Sequence, residues 1–311
     1  MRIGILGTGN FSDKVLTLLR NNEDYVVMGG FDSISLPNFF TYTNFLDFIK
    51  QIDSVLIFDI LRTDYKTLSE LIKQGKNVYV ESPSLCTPRQ LKALELLACE
   101  ADVVVQMGLK QRFYRFYDDL EKYALRPRII DTSRFVKFNK KSPHLSVIED
   151  LMMHDIDVCL KLTNSEVKSV YSTAVGIYYQ DPDVVNTRVE FYNGCVANLS
   201  ASKIASRNKH ITKFFQNNTY CSINYLQQTL KVQRNSGENP ESEEEWGVQT
   251  TYIQKKDSDA YLLMIDKEIN SFYNCIANQH DAQAGISQYL QLQSVATKIK
   301  EQLERNFTAN V

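Results

Sequence analysis

The sequence predicts an α/β protein, in which an N-terminal doubly wound domain of parallel strands precedes a C-terminal α+β domain with an open, largely antiparallel sheet. Two observations support this. Apolar strand patterns alternate with helical patterns to about Tyr114, whereas from about Arg128 strands follow one another with few helices between. A chain of 311 residues suits two domains. We therefore expect domains of residues 1–115 and 116–311.

The first residues have the pattern of a nucleotide-binding turn. An apolar strand ends at Leu6, and a helical pattern begins near Val15. Gly7 permits a tight turn and Gly9 lets the backbone approach a pyrophosphate, whose charge the helix N-terminus stabilises. An ordinary tight turn is the alternative, but the placement favours a Rossmann domain. The expected phosphate-binding residues are Gly7, Thr8, Gly9, Asn10 and Phe11.

A carboxylate follows where a dinucleotide site needs one. Asp32 closes the second apolar strand, so its side chain would bind a ribose 2′-hydroxyl. Because an unphosphorylated ribose suits an acid, we expect NAD as the cofactor, with NADP as the alternative. Ligands bind beyond the carboxyl ends of parallel strands, which in this sequence also carry Asp59, Glu81 and Gly108.

A second stretch, from Glu149 to Asp157, has the residues for proton transfer. On a helix Asp150, His154 and Asp157 would share one face. Histidine suits removal of a hydroxyl proton because its unperturbed pKa is near 6.5. A solvated face with an incidental histidine would be the simpler interpretation of this stretch in isolation. The other three histidines lack a comparable setting in the sequence.

Composition narrows the function classes. The net charge of −2 and the pI of about 6.1 give no electrostatic footprint for nucleic acid or an anionic membrane, so a small molecule is the expected partner. The six cysteines are scattered without metal-ligand spacing, which favours reduced thiols, no metal and a cytoplasmic location. No apolar run approaches the ~20 residues of a membrane span.

The chain resembles the Gfo/Idh/MocA oxidoreductases over nearly its full length. Each motif is a modest signal, but their order and spacing together are specific. The resemblance rests on the turn at Gly7, Asp53 to Ile57, Gln74 to Pro83, Met107 to Phe113, the helix with Asp150, His154 and Asp157, and Val189 to Gly194.

The resemblance implies roles for individual residues. Asp150 would bind the reacting hydroxyl, His154 would be the general acid/base, and Glu81 would lie near the nicotinamide ribose with Ser82 and Pro83. Arg112 and Asp157 are the expected substrate-binding residues. The resemblance also implies that the open sheet forms an oligomer interface, in a homodimer or a homotetramer.

Three departures from the family pattern matter. Glu-Lys-Pro has become Glu81-Ser82-Pro83, which loses the lysine that usually contacts the substrate. Thr-Pro has become Asp59-Ile60, and the histidine one turn later is Asp64. Lys110 stands where Asn is frequent, and we hypothesise that it supplies the missing cation from another strand. A surface lysine in a loop is the alternative.

The sequence thus favours an NAD(P)-dependent oxidoreductase that transfers hydride between nicotinamide and a hydroxyl or carbonyl carbon of a sugar, sugar derivative or cyclitol. His154, Asp150 and Lys110 would be its catalytic residues. The departures at Ser82 and Asp59 favour a second hypothesis, a non-catalytic member that keeps the nucleotide site as a sensor. Retention of Asp150, His154 and Asp157 argues against that hypothesis.

Overall fold

A computed structural model describes most of the chain as two compact units. The first consists of Met1–Phe113 with Asp259–Gln291, and the second of Tyr114–Ser258 with Leu292–Val311. The sequence analysis had assigned Asp259–Gln291 to the second domain. The described residues are 1–7, 13–31, 39–59, 62–81, 86–123, 126–138, 146–178, 181–235, 248–255, 259–280 and 282–308.

The first unit contains a six-stranded sheet in which every pair of neighbouring strands is parallel. The strands are β1 (Arg2–Leu6), β2 (Val26–Phe31), β3 (Thr41–Tyr42), β4 (Ser54–Ile57), β5 (Asn77–Val80) and β6 (Val105–Met107). Their spatial order is β3-β2-β1-β4-β5-β6. The order reverses between β1 and β4, which is where doubly wound sheets bind ligands. The predicted doubly wound domain is confirmed.

Helices surround this sheet. They are α1 (Asp13–Arg20), α2 (Phe45–Gln51), α3 (Tyr65–Lys73) and α4 (Pro88–Glu100). Local chemistry fixes where α3 and α4 begin. Asp64 accepts hydrogen bonds from the amides of Lys66 and Thr67, and Thr87 forms a capping box with Gln90. Asp64, one of the departures from the family pattern, is therefore a helix cap.

A helix from late in the chain completes the first unit, which explains why this unit extends beyond the predicted boundary. Ile265, Ile269 and Phe272 of this helix share one apolar core with Ile3 and Leu56 of the sheet. Such burial outweighs proximity along the chain, because each fully buried aliphatic or aromatic side chain contributes about 1.5–3 kcal/mol.

The second unit contains an eight-stranded sheet that is antiparallel except for one parallel pair, as predicted. In chain order, the elements from Tyr114 onward are α5 (Phe116–Glu121), β7 (Ile129–Lys137), a π-helix (Ile148–Met152), α6 (Met153–Thr163), β8 (Val167–Val175), β9 (Val184–Phe191), β10 (Val196–Ala205), β11 (Lys209–Gln216), β12 (Thr219–Asn224), β13 (Thr229–Asn235), β14 (Val248–Gln254), α7 (Ala260–Asn278) and α8 (Ile286–Thr308). The strand order is β14-β13-β12-β11-β7-β10-β9-β8, with β7 and β10 parallel. The helix that completes the first unit is α7.

One face of the eight-stranded sheet is polar, and its paired residues line up across all eight strands. The other face is buried and apolar, with Ile130, Ala197 and Phe214 at its centre. A single row of paired positions crosses the polar face: Tyr171, Arg188, Asn198, Asp131, Lys213, Ser222, Lys231 and Tyr252.

No helix in the described part of the chain combines the length and the apolar character that crossing a membrane requires.

The contact between Gly108 and Glu81 generates a stability prediction. A Cβ atom on Gly108 would lie 2.0 Å from the backbone oxygen of Glu81, so Gly108→Ala must displace main chain. We expect the free energy of unfolding to fall by about 1–3 kcal/mol, the usual cost of overpacking, as measured by urea denaturation. Gly285→Ala is the control, because its nearest obstacle is the flexible end of Gln288, 3.1 Å away. Equal stability of the two variants would contradict the prediction.

Candidate functional site

The turn after β1 has the geometry that the sequence predicted at its first residue. Gly7 has φ +69°, and a Cβ there would lie 2.4 Å from the Cβ of Asp59, which follows β4. The Gly7 amide donates to the Phe31 carbonyl at 3.1 Å. Only glycine fits this conformation and this contact. Gly7 thus provides, at the β1–β4 switch point, the tight turn that a dinucleotide-binding strand–helix connection needs.

Several predicted cofactor residues lie outside the described part of the chain. These are Thr8, Gly9, Asn10, Phe11, Asp32, Ser82 and Pro83.

Glu81 and Lys110 meet at the carboxyl ends of β5 and β6. Lys110 begins a short 3₁₀-helix, Lys110–Phe113, and its Nζ lies 2.6 Å from Glu81 Oε1. Their side chains are only 19% and 14% exposed. Because Gly108 has no side chain, the segment after β6 can lie against the Glu81 backbone, which brings Lys110 within reach. The predicted Lys110 and Glu81 thus form an ion pair at the ligand-binding edge of the sheet.

The electrostatics keep Lys110 cationic. Burial alone would lower its pKa, but the charge and the hydrogen bond of Glu81 outweigh burial, and the pKa of Lys110 is raised above its usual value. The aromatic ring of Tyr261 adds a cation–π contact, with Nζ 5.0 Å from the ring centroid. A fixed ammonium here can donate to an oxygen or stabilise negative charge on it.

Two residues of α7 complete this cluster and were missed by the sequence analysis. Tyr261 donates its hydroxyl to Glu81 Oε1 at 3.2 Å. Glu268 is fully buried and accepts a hydrogen bond from Tyr79 at 2.8 Å. The sequence contains a signal for Glu268, since an acid falls on the apolar stripe between Ile265 and Phe272. Nothing local marks Tyr261.

The predicted catalytic helix begins with a π-helical turn. Asp150 lies in the π-helix Ile148–Met152, and His154 lies in the first turn of α6. The π-turn changes the angular spacing of the side chains along the helix. Asp150, His154 and Asp157 accordingly differ in their exposure to solvent. The carboxyl of Asp150 is 40% exposed, His154 is half-buried, and Asp157 is only 1% exposed.

Asp150 has a cationic partner that the sequence analysis missed. The Nζ of Lys203, on β10, lies 3.0 Å from Asp150 Oδ2, and the Lys203 side chain is 16% exposed. This contact fixes the orientation of the Asp150 carboxylate while leaving part of it accessible. A carboxylate held in this way can accept a hydrogen bond from a substrate hydroxyl.

The predicted substrate contacts Arg112 and Asp157 present little surface. Arg112 is 8% exposed, and its Nη1 donates to the Gln283 carbonyl at 2.8 Å. Asp157 lies among the buried residues of α6. Arg112 thus links the segment after β6 to Gln283, and a substrate-binding role of Arg112 and Asp157 stays a prediction.

A buried pair anchors α6 to the sheet. His210 Nε2, on β11, lies 2.9 Å from Asp155 Oδ1, and the His210 ring stacks on Tyr225 with centroids 3.9 Å apart. The sequence alone indicates a neighbouring carboxylate only for His154. In the structure His210 also pairs with a carboxylate, that of Asp155. The two partners are 55 positions apart in the sequence, so no local pattern predicts this contact.

The Asp155–His210 pair predicts a large loss of stability on truncation. His210→Phe keeps an aromatic ring on Tyr225 but deprives the buried Asp155 of this partner. We expect the free energy of unfolding, from urea denaturation, to fall by about 3 kcal/mol or more. Glu149→Ala is the control, since it breaks an exposed pair with Lys300 and should cost less than about 1 kcal/mol. A His210→Phe protein as stable as the control would contradict the anchoring role.

Comparisons with known proteins agree with this architecture. A family model described as the GFO/IDH/MocA C-terminal domain matches residues 126–222. A UDP-N-acetylglucosamine 3-dehydrogenase from Acidithiobacillus ferrooxidans is 27% identical over 231 residues, which are 74% of this chain and 72% of the relative. A scyllo-inositol 2-dehydrogenase (NAD(+)) from Bacillus subtilis is 25% identical over 167 residues, 49% of each chain.

The likeness extends to a solved structure. The structure of the Acidithiobacillus ferrooxidans enzyme superposes with a TM-score of 0.85 at 22% identity and covers 98% of both chains. At this identity the structural likeness establishes the fold. Together, the family model over residues 126–222 and the two relatives support a Gfo/Idh/MocA family oxidoreductase.

Proposed function

We propose that this protein transfers hydride between NAD and a hydroxyl or carbonyl carbon of a sugar derivative. One observation carries the proposal: the cation Lys110, paired with Glu81 at 2.6 Å, lies at the carboxyl ends of the parallel strands, the edge at which Gly7 follows β1. Doubly wound sheets bind ligands at this edge, and perturbed ionisable groups such as Lys110 concentrate at active sites.

The cofactor would be held by residues of the first unit. Gly7 and Asp59 would shape the backbone for the pyrophosphate, the predicted residues Thr8, Gly9, Asn10 and Phe11 would bind it, and Asp32 would accept a hydrogen bond from the ribose. Glu81, Ser82 and Pro83 would lie beside the nicotinamide end. When bound, the nicotinamide supplies the hydride acceptor or donor. The acid at position 32 supports NAD over NADP, and NAD is also named for the Bacillus subtilis relative.

His154 would move the proton. Oxidation of an alcohol requires loss of the hydroxyl proton as hydride leaves the carbon, and an imidazole can accept it near neutral pH. Asp150, oriented by Lys203, would accept a hydrogen bond from the substrate hydroxyl. Lys110 would donate to the substrate oxygen and stabilise its developing negative charge, in place of the lysine absent at position 82.

The substrate class is supported by the relatives. One acts on UDP-N-acetylglucosamine and the other on scyllo-inositol by name, so a sugar derivative or cyclitol is the first class to test.

We further propose a homo-oligomer that uses the polar sheet face, because its row of Arg188, Asp131, Lys213 and Lys231 offers charges of both signs to a second copy. A cytoplasmic location is proposed from the free cysteines.

Cofactor choice gives a direct prediction. Titration with NADH, followed by nicotinamide fluorescence, should show tighter binding than titration with NADPH. Asp32→Ala should weaken NADH binding by at least tenfold, because the ribose loses its carboxylate partner. Asp47→Ala, which removes an exposed aspartate of α2 in the same unit, is the control and should bind as the wild type does. Absence of binding by either nucleotide would remove the basis for hydride transfer and favour a binding protein.

The role of His154 gives a second prediction. Activity is measured with a sugar derivative that the wild type converts, and UDP-N-acetylglucosamine is tested first. His154→Ala should lower kcat by roughly 10²–10⁴, while its NADH affinity stays within about twofold of the wild-type value. His280→Ala is the matched control, because His280 is an exposed histidine of the first unit. Full activity of the His154→Ala enzyme would refute the assignment.

A further inference from the structure

The buried acid Glu268 has no part in the proposed reaction, yet it adjoins residues that do. It lies on α7 at 0% exposure. The Tyr79 hydroxyl, on β5, donates to its Oε2 at 2.8 Å. The Gln106 side chain holds the Glu268 backbone carbonyl at 2.8 Å. Glu268 thus contacts the ends of both strands that carry Glu81 and Lys110.

The surroundings of the second carboxyl oxygen of Glu268 indicate which protonation state is favoured at this buried position. Oε1 is buried and has no hydrogen-bond partner among the described residues. A carboxylate with an unsatisfied oxygen in an apolar interior is strongly disfavoured relative to the neutral acid. The core around α7 is apolar, with Ile265, Ile269 and Phe272 all buried.

Within the described part of the chain, the titratable side chains that act on the Glu268 carboxyl come from the same cluster. Tyr79 lies on β5, Glu81 follows β5, and Lys110 follows β6, while Tyr261 of α7 acts on Lys110 and Tyr79. Lys110 and the Tyr79 hydrogen bond favour the anion, whereas Glu81 disfavours it. Burial is the largest influence and raises the pKa of Glu268 to about 8.

We propose that Glu268 is a positioning residue that, as a neutral acid, leaves the Lys110–Glu81 pair intact and leaves the Lys110 charge available to a substrate oxygen. This inference rests on the proposed function. Once ionised, Glu268 would add a second negative charge to the surroundings of Lys110. This charge would hold the ammonium more strongly within the cluster and would weaken its donation to a substrate oxygen.

The first test needs no substrate or cofactor. Lysine labelled with ¹³C at Cε is followed by NMR as the pH rises from 6 to 9.5, and the Lys110 resonance is assigned by its loss in Lys110→Arg. In the wild type, the chemical shift of Lys110 Cε should change with an inflection near pH 8. The Glu268→Gln protein should show no such inflection, and in Tyr79→Phe the inflection should move to higher pH. Glu100→Gln, an exposed acid of α4, is the control and should keep it.

The second test uses turnover. Between pH 7 and pH 9, wild-type kcat should fall about tenfold, as expected for an acid of pKa near 8, whereas kcat of Glu268→Gln should stay within about twofold. An NMR inflection that persists in Glu268→Gln, or an equal alkaline fall in both enzymes, would overturn the positioning role. A wild type that turns over no sugar derivative would instead refute the proposed function, and the NMR titration would still decide whether Glu268 acts on Lys110.

A third readout is stability. Because the pKa of Glu268 is raised on folding, its contribution to stability is complete below its ordinary value near 4.5 and is lost as pH rises through about 8. The urea midpoint of Glu268→Gln, relative to wild type, should therefore increase from pH 5 to pH 8.5. A constant difference would show that Glu268 ionises normally and would overturn the proposal.

Discussion

The close approach of the chain after β6 to the backbone of Glu81 is the constraint on which the candidate site depends. Gly108 permits it, because any Cβ would meet the Glu81 carbonyl. This approach places the Lys110 ammonium 2.6 Å from Glu81. One residue without a side chain thus brings a cation and a carboxylate together at the edge of the sheet, and the buried acid Glu268 contacts both of the preceding strands through Tyr79 and Gln106.

The second unit uses a different device, in which a buried contact fixes a partly exposed one. The Asp155–His210 pair ties α6 to β11, so that His154, the adjacent residue, is held half-buried. Asp150 is held from β10 by Lys203. Within each unit, contacts to strands position the groups proposed for chemistry.

The features that could be predicted from the sequence are those that a local pattern of residues determines. The strand–turn–helix at Gly7, the alternation of strands and helices, and the switch to consecutive strands all follow from periodicity and glycine placement. The sequence did not predict that α7 belongs to the first unit, because a helix with an apolar stripe can pack on any core. Nor did it predict the π-turn before α6, or the contacts Asp150–Lys203, Asp155–His210 and Glu268–Tyr79. These contacts join residues far apart in the chain, and tertiary packing alone determines them.

The central claim is that Lys110 supplies from the end of β6 the cation that position 82 lacks. The most direct test is a rescue of kcat for a sugar derivative with NAD: Lys110→Met is compared with the double variant Lys110→Met/Ser82→Lys. If either strand end can provide the ammonium, Lys110→Met should lose activity and the double variant should regain at least a tenth of the wild-type kcat. Unchanged kcat in Lys110→Met, or no recovery in the double variant, would contradict the claim.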